Sequence, residues 1–285
     1  METRDKLFTE EQYIKQLVKY TTRIEKLNSM IEQSEKDGDE ISPDLYGRLF
    51  DCRVYTIVTM YSMGENLESI KSNYISTINV LEKCWTPYGY YVQMLWLLSI
   101  GIMLEYDNNV IHKLRVLIDM KEVKDRVYDV LLNYRFPERK EMADCVFDTV
   151  PYRAILEVSD LAKTNKIQAT KRLEKYLKRE WYRGHSDCAW HDDHKYGIIH
   201  DGYWCFESGA LVKQLPMSLE TEEELKATDH LFEQYYGRKP DKEDYVFSFT
   251  PIYQDELLFK VMKALRLSGI PPEDIYAYYK TDGLL

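Results

Sequence analysis

Seven potential metal ligands fall within sixteen residues of the sequence: His185, Asp187, His191, Asp192, Asp193, His194 and His200. Imidazole and carboxylate are the donors of zinc, manganese and iron sites, so the chemistry this loop could support is metal-dependent hydrolysis. On a helix, His191 and His194 would share a face. The spacing nevertheless matches no zinc-hydrolase pattern, because HExxH is absent and the cysteines at 52, 84, 145, 188 and 205 form no CxxC pair. Cys188 or Cys205 beside a histidine could form a nucleophile pair. The run Trp204-Cys205-Phe206, however, is an apolar setting that favours a buried structural thiol. There is no glycine-rich phosphate loop. No catalytic residue, metal or cofactor is therefore expected, and a metal-dependent hydrolase using residues 185–201 stands as the alternative reading.

The same stretch is dense in aromatics. Three of the five tryptophans, Trp181, Trp190 and Trp204, lie between Trp181 and Leu215. Between His185 and Glu207 there are five acids (Asp187, Asp192, Asp193, Asp201, Glu207) and one base (Lys195), a local net charge of -4. Aromatic anchors beside charge are what a protein interface uses for binding and steering. Asp187, Asp192, Asp193, Asp201 and Tyr196 are the candidate partner-contacting residues. The residues fit equally well a loop pinned by its aromatics, with the aspartates facing water. Glu207, flanked by Trp204, Cys205, Phe206, Ala210 and Leu211, needs a partner if buried. Trp181, Trp190, His200, Arg183 or a tyrosine hydroxyl could supply it, and its expected role is structural.

The elements that must position this hub are helices. Thr9 with Gln12 forms a capping-box signature for a helix over 9–35, whose apolar stripe is Tyr13, Leu17, Tyr20, Ile24, Leu27 and Ile31. Ser42-Pro43 starts a second helix and 67–84 carries a third. Residues 88–104 form a helix that is apolar nearly all round, too short for a comfortable membrane span. Helices over 108–119 and 122–134 follow, with a less regular stretch to about 146 and a short helix after Pro151. A strong amphipathic helix over 165–182 ends at Gly184. Asp201 is expected to cap a hub helix over 202–215, and further helices are expected over 221–236, 255–268 and 272–279. The residues 245–249 alternate briefly like an extended core segment. The predicted fold is all-α, a multi-helix bundle of about a dozen helices, with an N-terminal region 1–135 and a C-terminal region 150–285 packed as one unit.

Composition narrows the partners. A net charge of -10 over 285 residues argues against direct nucleic-acid binding and permits a basic protein partner. The acids are unevenly placed: residues 216–285 hold 14 against 8 bases, whereas residues 1–184 hold 29 against 28. An odd number of scattered cysteines and an N-terminus that opens no signal peptide predict a reducing, cytoplasmic setting with no membrane association.

Trp181-Tyr182, then Trp190-His191-Asp192-x-His194-Lys195, then Gly202-Tyr203-Trp204-x-Phe206-Glu207-x-x-Ala210 resembles the signature of the PoNi-type immunity proteins of bacterial polymorphic toxin systems. The resemblance implies a helical, non-enzymatic protein that binds and neutralises a cognate DNase toxin. It also implies that Trp181, Tyr182, Trp190, Asp192, His194, Tyr203, Trp204, Phe206 and Glu207 are family-signature residues, mainly of structural role. The pattern departs after the hub helix: Leu215-Pro216-Met217-Ser218-Leu219 stands where relatives often carry an aspartate-rich turn and a tyrosine-proline element. The segment from Asp255 onward matches no motif.

Overall fold

In a computed structural model the structure describes residues 3–87, 89–139, 143–147 and 149–215. The helices and the extended segment expected beyond residue 215 lie outside the described residues. Among the described residues every regular element is helical, an all-α arrangement. No described helix is long and apolar enough to cross a membrane, and all five cysteines are free thiols.

The chain divides into two compact units. The first comprises residues 1–101, 105–123 and 192–202. The second comprises residues 102–104, 124–191 and, to the end of the described residues, 203–215. The hub stretch therefore contributes to both: residues 192–202 belong to the first unit, and those on either side belong to the second.

In the first unit, α1 (Glu10–Asp37) starts at Thr9 with the complete capping box, the Gln12 amide donating to the Thr9 hydroxyl and the Gln12 side chain accepting from the Thr9 amide. Its predicted stripe is the packing face. Leu27 and Ile31 are buried with Leu49 and Cys52, while Tyr13 is buried with Phe8 and Met63. Ser42 caps α2 (Pro43–Met63), which Gly64 closes at φ 100°. Then come α3 (Leu67–Cys84), capped by Asn66, α4 (Tyr91–Met103) and α5 (Asn108–Met120), capped by Asp107. Helix α1 packs on α2, α2 on α3, and α3 on α5. Helix α4, apolar nearly all round, is buried without interruption from Met94.

The second unit holds α6 (Arg126–Arg135), α7 (Thr149–Ala162), α8 (Lys166–Lys175), α9 (Trp181–Gly184) and α10 (Phe206–Gln214). The helix predicted over 165–182 is not uniform: residues Tyr176–Glu180 form a π turn between α8 and α9, marked by the Trp181 amide donating to the Tyr176 carbonyl. In an α-helix, residues five apart are rotated by about 140°. An i→i+5 turn brings them near one face, and this turn aims Tyr176 and Trp181 at the same target. Gly184 ends the segment as predicted, but its need is for space. A Cβ there would lie 2.5 Å from the Cβ of Pro151.

Candidate functional site

The second unit's part of the hub is a closed aromatic and polar core. Glu207, in the first turn of α10, is fully buried. Its Oε1 accepts from Trp181 Nε1 at 2.9 Å, from the Tyr176 hydroxyl at 3.1 Å and from the Cys205 thiol at 2.9 Å. Of the partners the sequence offered, Trp181 and a tyrosine hydroxyl are used. Burial pushes the Glu207 carboxyl above its ordinary range despite these donors. It is the donors on Oε1 that make the burial tolerable.

Around this carboxyl the signature residues pack on one another. Trp181 stacks on Trp190 with ring centroids 5.5 Å apart, and Tyr182 stacks on His191 at 4.2 Å while meeting Tyr203 edge-on at 5.0 Å. Tyr203, Trp204, Cys205 and Phe206 are all buried. His185 packs against both Trp181 and Trp190 and is buried as well. Its Nδ1 is 2.6 Å from the Trp181 carbonyl oxygen, which can only accept, so the proton sits on Nδ1. Nε2 then accepts from the Tyr152 hydroxyl at 2.8 Å. Burial, only partly opposed by that carbonyl and by Asp187, lowers the imidazole pKa to about 4.

The first unit's part, residues 192–202, is organised around charge. His200 is fully buried, with Nδ1 2.6 Å from Asp193 and Nε2 3.4 Å from Asp5. Burial works against the imidazolium, but the hydrogen bond to Asp193 and the Asp5 carboxylate outweigh it and hold the pKa at about 9. The His200 amide donates to Gln16 Oε1 at 2.8 Å, and Gln16 Nε2 donates to the His200 carbonyl at 3.1 Å. Next along the chain, Asp201 accepts from Thr59 at 2.7 Å, Gln16 at 2.7 Å and Tyr20 at 2.9 Å. The Ser62 hydroxyl donates to its carbonyl. Burial pushes the Asp201 carboxyl up to about 7, against the pull of the Thr59 and Tyr20 hydroxyls.

Two sequence expectations change here. Asp201 is not the cap of the hub helix: residues 201–205 are irregular, α10 begins at Phe206, and Cys205 occupies the cap position without a side-chain capping bond. Thr59, Tyr20 and Gln16 hold its carboxylate in the first unit instead. Asp201, one of the candidate partner-contacting residues, is buried there. His191 and His194 do not share a helical face either. Residues 185–192 are turns, and only Asp193–Tyr196 is regular, a single 3-10 turn closed by Gly197 at φ 65°.

The remaining candidates lie closer to the surface. Asp187 and Tyr196 are exposed, while Asp192, Asp193 and His194 are half-buried. Asp192 pairs with Lys195 at 2.7 Å, and His194 meets the His200 ring edge-on at 5.9 Å. The histidines and aspartates of residues 185–201 are thus divided between two units and largely engaged within them. Among the described residues no group of three His, Cys, Asp or Glu is placed to hold a metal ion.

The first unit's half of the constellation, Asp5, Gln16, Thr59 and Ser62, carries little signal in the local sequence. One signal was legible: Gln16 lies three residues after Tyr13 and four before Tyr20, a polar residue within a buried stripe. Nor does the local sequence mark Ile198 and Ile199, both exposed.

No curated protein and no solved structure matches the chain. Two family models do: that of the N-terminal part of the PoNe immunity protein (PoNi) over residues 4–116, and that of the C-terminal part of the PoNe immunity proteins over residues 123–233. These two stretches make up most of the chain, in the order the family has them, and the second contains the whole tryptophan-rich signature. The chain therefore belongs to the PoNi family, non-catalytic immunity proteins that protect against a cognate PoNe-type DNase toxin.

Proposed function

We propose that this protein neutralises its DNase by covering the toxin's active or DNA-binding surface, as a stoichiometric inhibitor without turnover and in the cytoplasm. The observation that carries the reading is the pair of family matches over residues 4–116 and 123–233. The charge supports it. A surface that grips DNA is basic, and the chain carries a net charge of -10. Five free thiols are at home in a reducing compartment. Of the acidic contact candidates, Asp187 is exposed, and Asp192 is half-buried and paired with Lys195. Asp193 and Asp201 act from beneath, by holding the loop. Steering by exposed charge acts mainly on the association rate.

The test is co-purification with the product of the adjacent gene, followed by a nuclease assay of that product with and without this chain. A stoichiometric complex with suppressed cleavage is expected. A DNase that stays fully active in excess of this chain would overturn the reading. Reversing Asp187 and Asp192 together to lysine should slow association by about tenfold at low salt, with the difference shrinking as salt is raised.

A further inference from the structure

Residues 193–200 form a loop whose two ends are tied together. Asp193 is bonded to His200 at 2.6 Å. The base is held again from α1 and α2, by Gln16 on the His200 backbone and by Thr59, Gln16 and Tyr20 on the Asp201 carboxylate. The loop's charges are engaged as well, Asp193 with His200 and Asp192 with Lys195. What it presents is apolar. Tyr196 is 77 % exposed, Ile198 66 % and Ile199 41 %. Gly197 between them sits at φ 65° with nothing within 4 Å of where a Cβ would be.

Single exposed hydrophobic residues are ordinary. Three of four consecutive positions, on a loop clamped at its base, are not what water favours, and such patches mark interaction sites. We propose that Tyr196, Ile198 and Ile199 form an apolar anchor that seats in a hollow on the cognate DNase. The inference rests on the reading of the chain as a toxin-binding immunity protein and names the contact that reading lacks. A nucleic acid does not fit the tip, because its one cation, Lys195, is already paired with Asp192. The occupant is the toxin because family membership already requires a protein partner, and the paired charges leave that partner an apolar surface to match. Clamping lowers the ordering cost of binding. A tyrosine with two aliphatic neighbours supplies the desolvated contact area that slows dissociation. The acidic residues nearby would then set how fast the complex forms, and the tip how long it lasts.

The experiment compares the full chain with the Tyr196→Ser/Ile198→Ser variant, using as the probe the cognate DNase identified by co-purification. Binding kinetics, nuclease inhibition and self-association are all measured. The expected result is a dissociation rate roughly 10- to 100-fold faster for the variant, with the association rate within about threefold and circular dichroism unchanged. Should the double variant lose helical signal, Ile198→Ser alone carries the same test, with a rise of about tenfold expected. An unchanged dissociation rate in a protein that still inhibits the DNase overturns the anchor and leaves the immunity reading standing. A wild-type chain that neither binds nor inhibits overturns both. Self-association that the variant abolishes while toxin binding is kept also overturns the anchor, and assigns the tip to a second copy.

Discussion

The two units each bury a histidine and a carboxylate contributed by the same short stretch of chain, and they treat them in opposite ways. In the second unit His185 is neutral, its Nδ1 proton on a backbone carbonyl and its Nε2 on a tyrosine hydroxyl. In the first unit His200 is charged between Asp5 and Asp193. Residues fifteen apart in sequence thus have pKa values of about 4 and about 9. A neutral network inside stacked tryptophans builds a core. A charged one at the foot of a loop holds that loop in place while its apolar tip stays in water. Specificity of position, rather than net stability, is what a buried ion pair supplies best.

The largest effect that would break this contrast comes from the neutral centre. Trp181→Ala removes a fully buried indole and a donor to Glu207, and should cost about 4 kcal/mol in urea unfolding monitored by circular dichroism. In the charged centre, His200→Ala leaves the Asp5 and Asp193 carboxylates uncompensated and should cost about 3 kcal/mol. Hydrogen exchange over residues 193–199 should rise in that variant while exchange in α7 and α8 stays as it was. Equal loosening of both units would erase the distinction.

Titration sharpens it. By NMR of the imidazole protons, His200 should titrate near pH 9 and His185 near pH 4. For His200 the folded pKa lies above the ordinary 6.5, so its stabilisation is complete below 6.5 and is lost as pH rises through about 9. For His185 the folded pKa lies below 6.5, so its contribution is present above 6.5 and is lost as pH falls through about 4. Asp201, raised to about 7, acts in the same sense as His200, its favourable neutral form being given up as pH rises through that value. Two histidines titrating together near 6.5 would refute the assignment.

The smallest effect is expected at Glu207. Its burial favours the uncharged carboxyl, so Glu207→Gln, which keeps an acceptor for Trp181, Tyr176 and Cys205, should change stability by under about 1 kcal/mol near neutral pH. Because ionising the buried wild-type carboxyl costs stability as pH rises through its raised pKa, the variant should gain on the wild type at high pH. A loss of several kcal/mol would mean that the carboxylate is charged in place.

The helical plan was legible in the residues themselves. Thr9 with Gln12, Ser42-Pro43 and the seven-residue spacing from Tyr13 to Tyr20 act within a few turns of chain, so local sequence determines α1 and α2 almost to their ends. The tryptophan-rich signature, the expectation that a buried Glu207 would need a partner, and the family were legible for the same reason, because type and spacing carry them. Three things were decided only by tertiary structure. The π turn at Tyr176–Glu180 gives up regular helix geometry to bring Tyr176 and Trp181 onto Glu207, some thirty residues away. Asp201 looked like a helix cap because nothing nearby in sequence shows Thr59, Gln16 and Tyr20 waiting for its carboxylate. And the charge of each histidine depended on whether the fold placed carboxylates or a carbonyl and a phenol against it. A side chain's neighbours across the fold set its desolvation and field, and no local pattern encodes them.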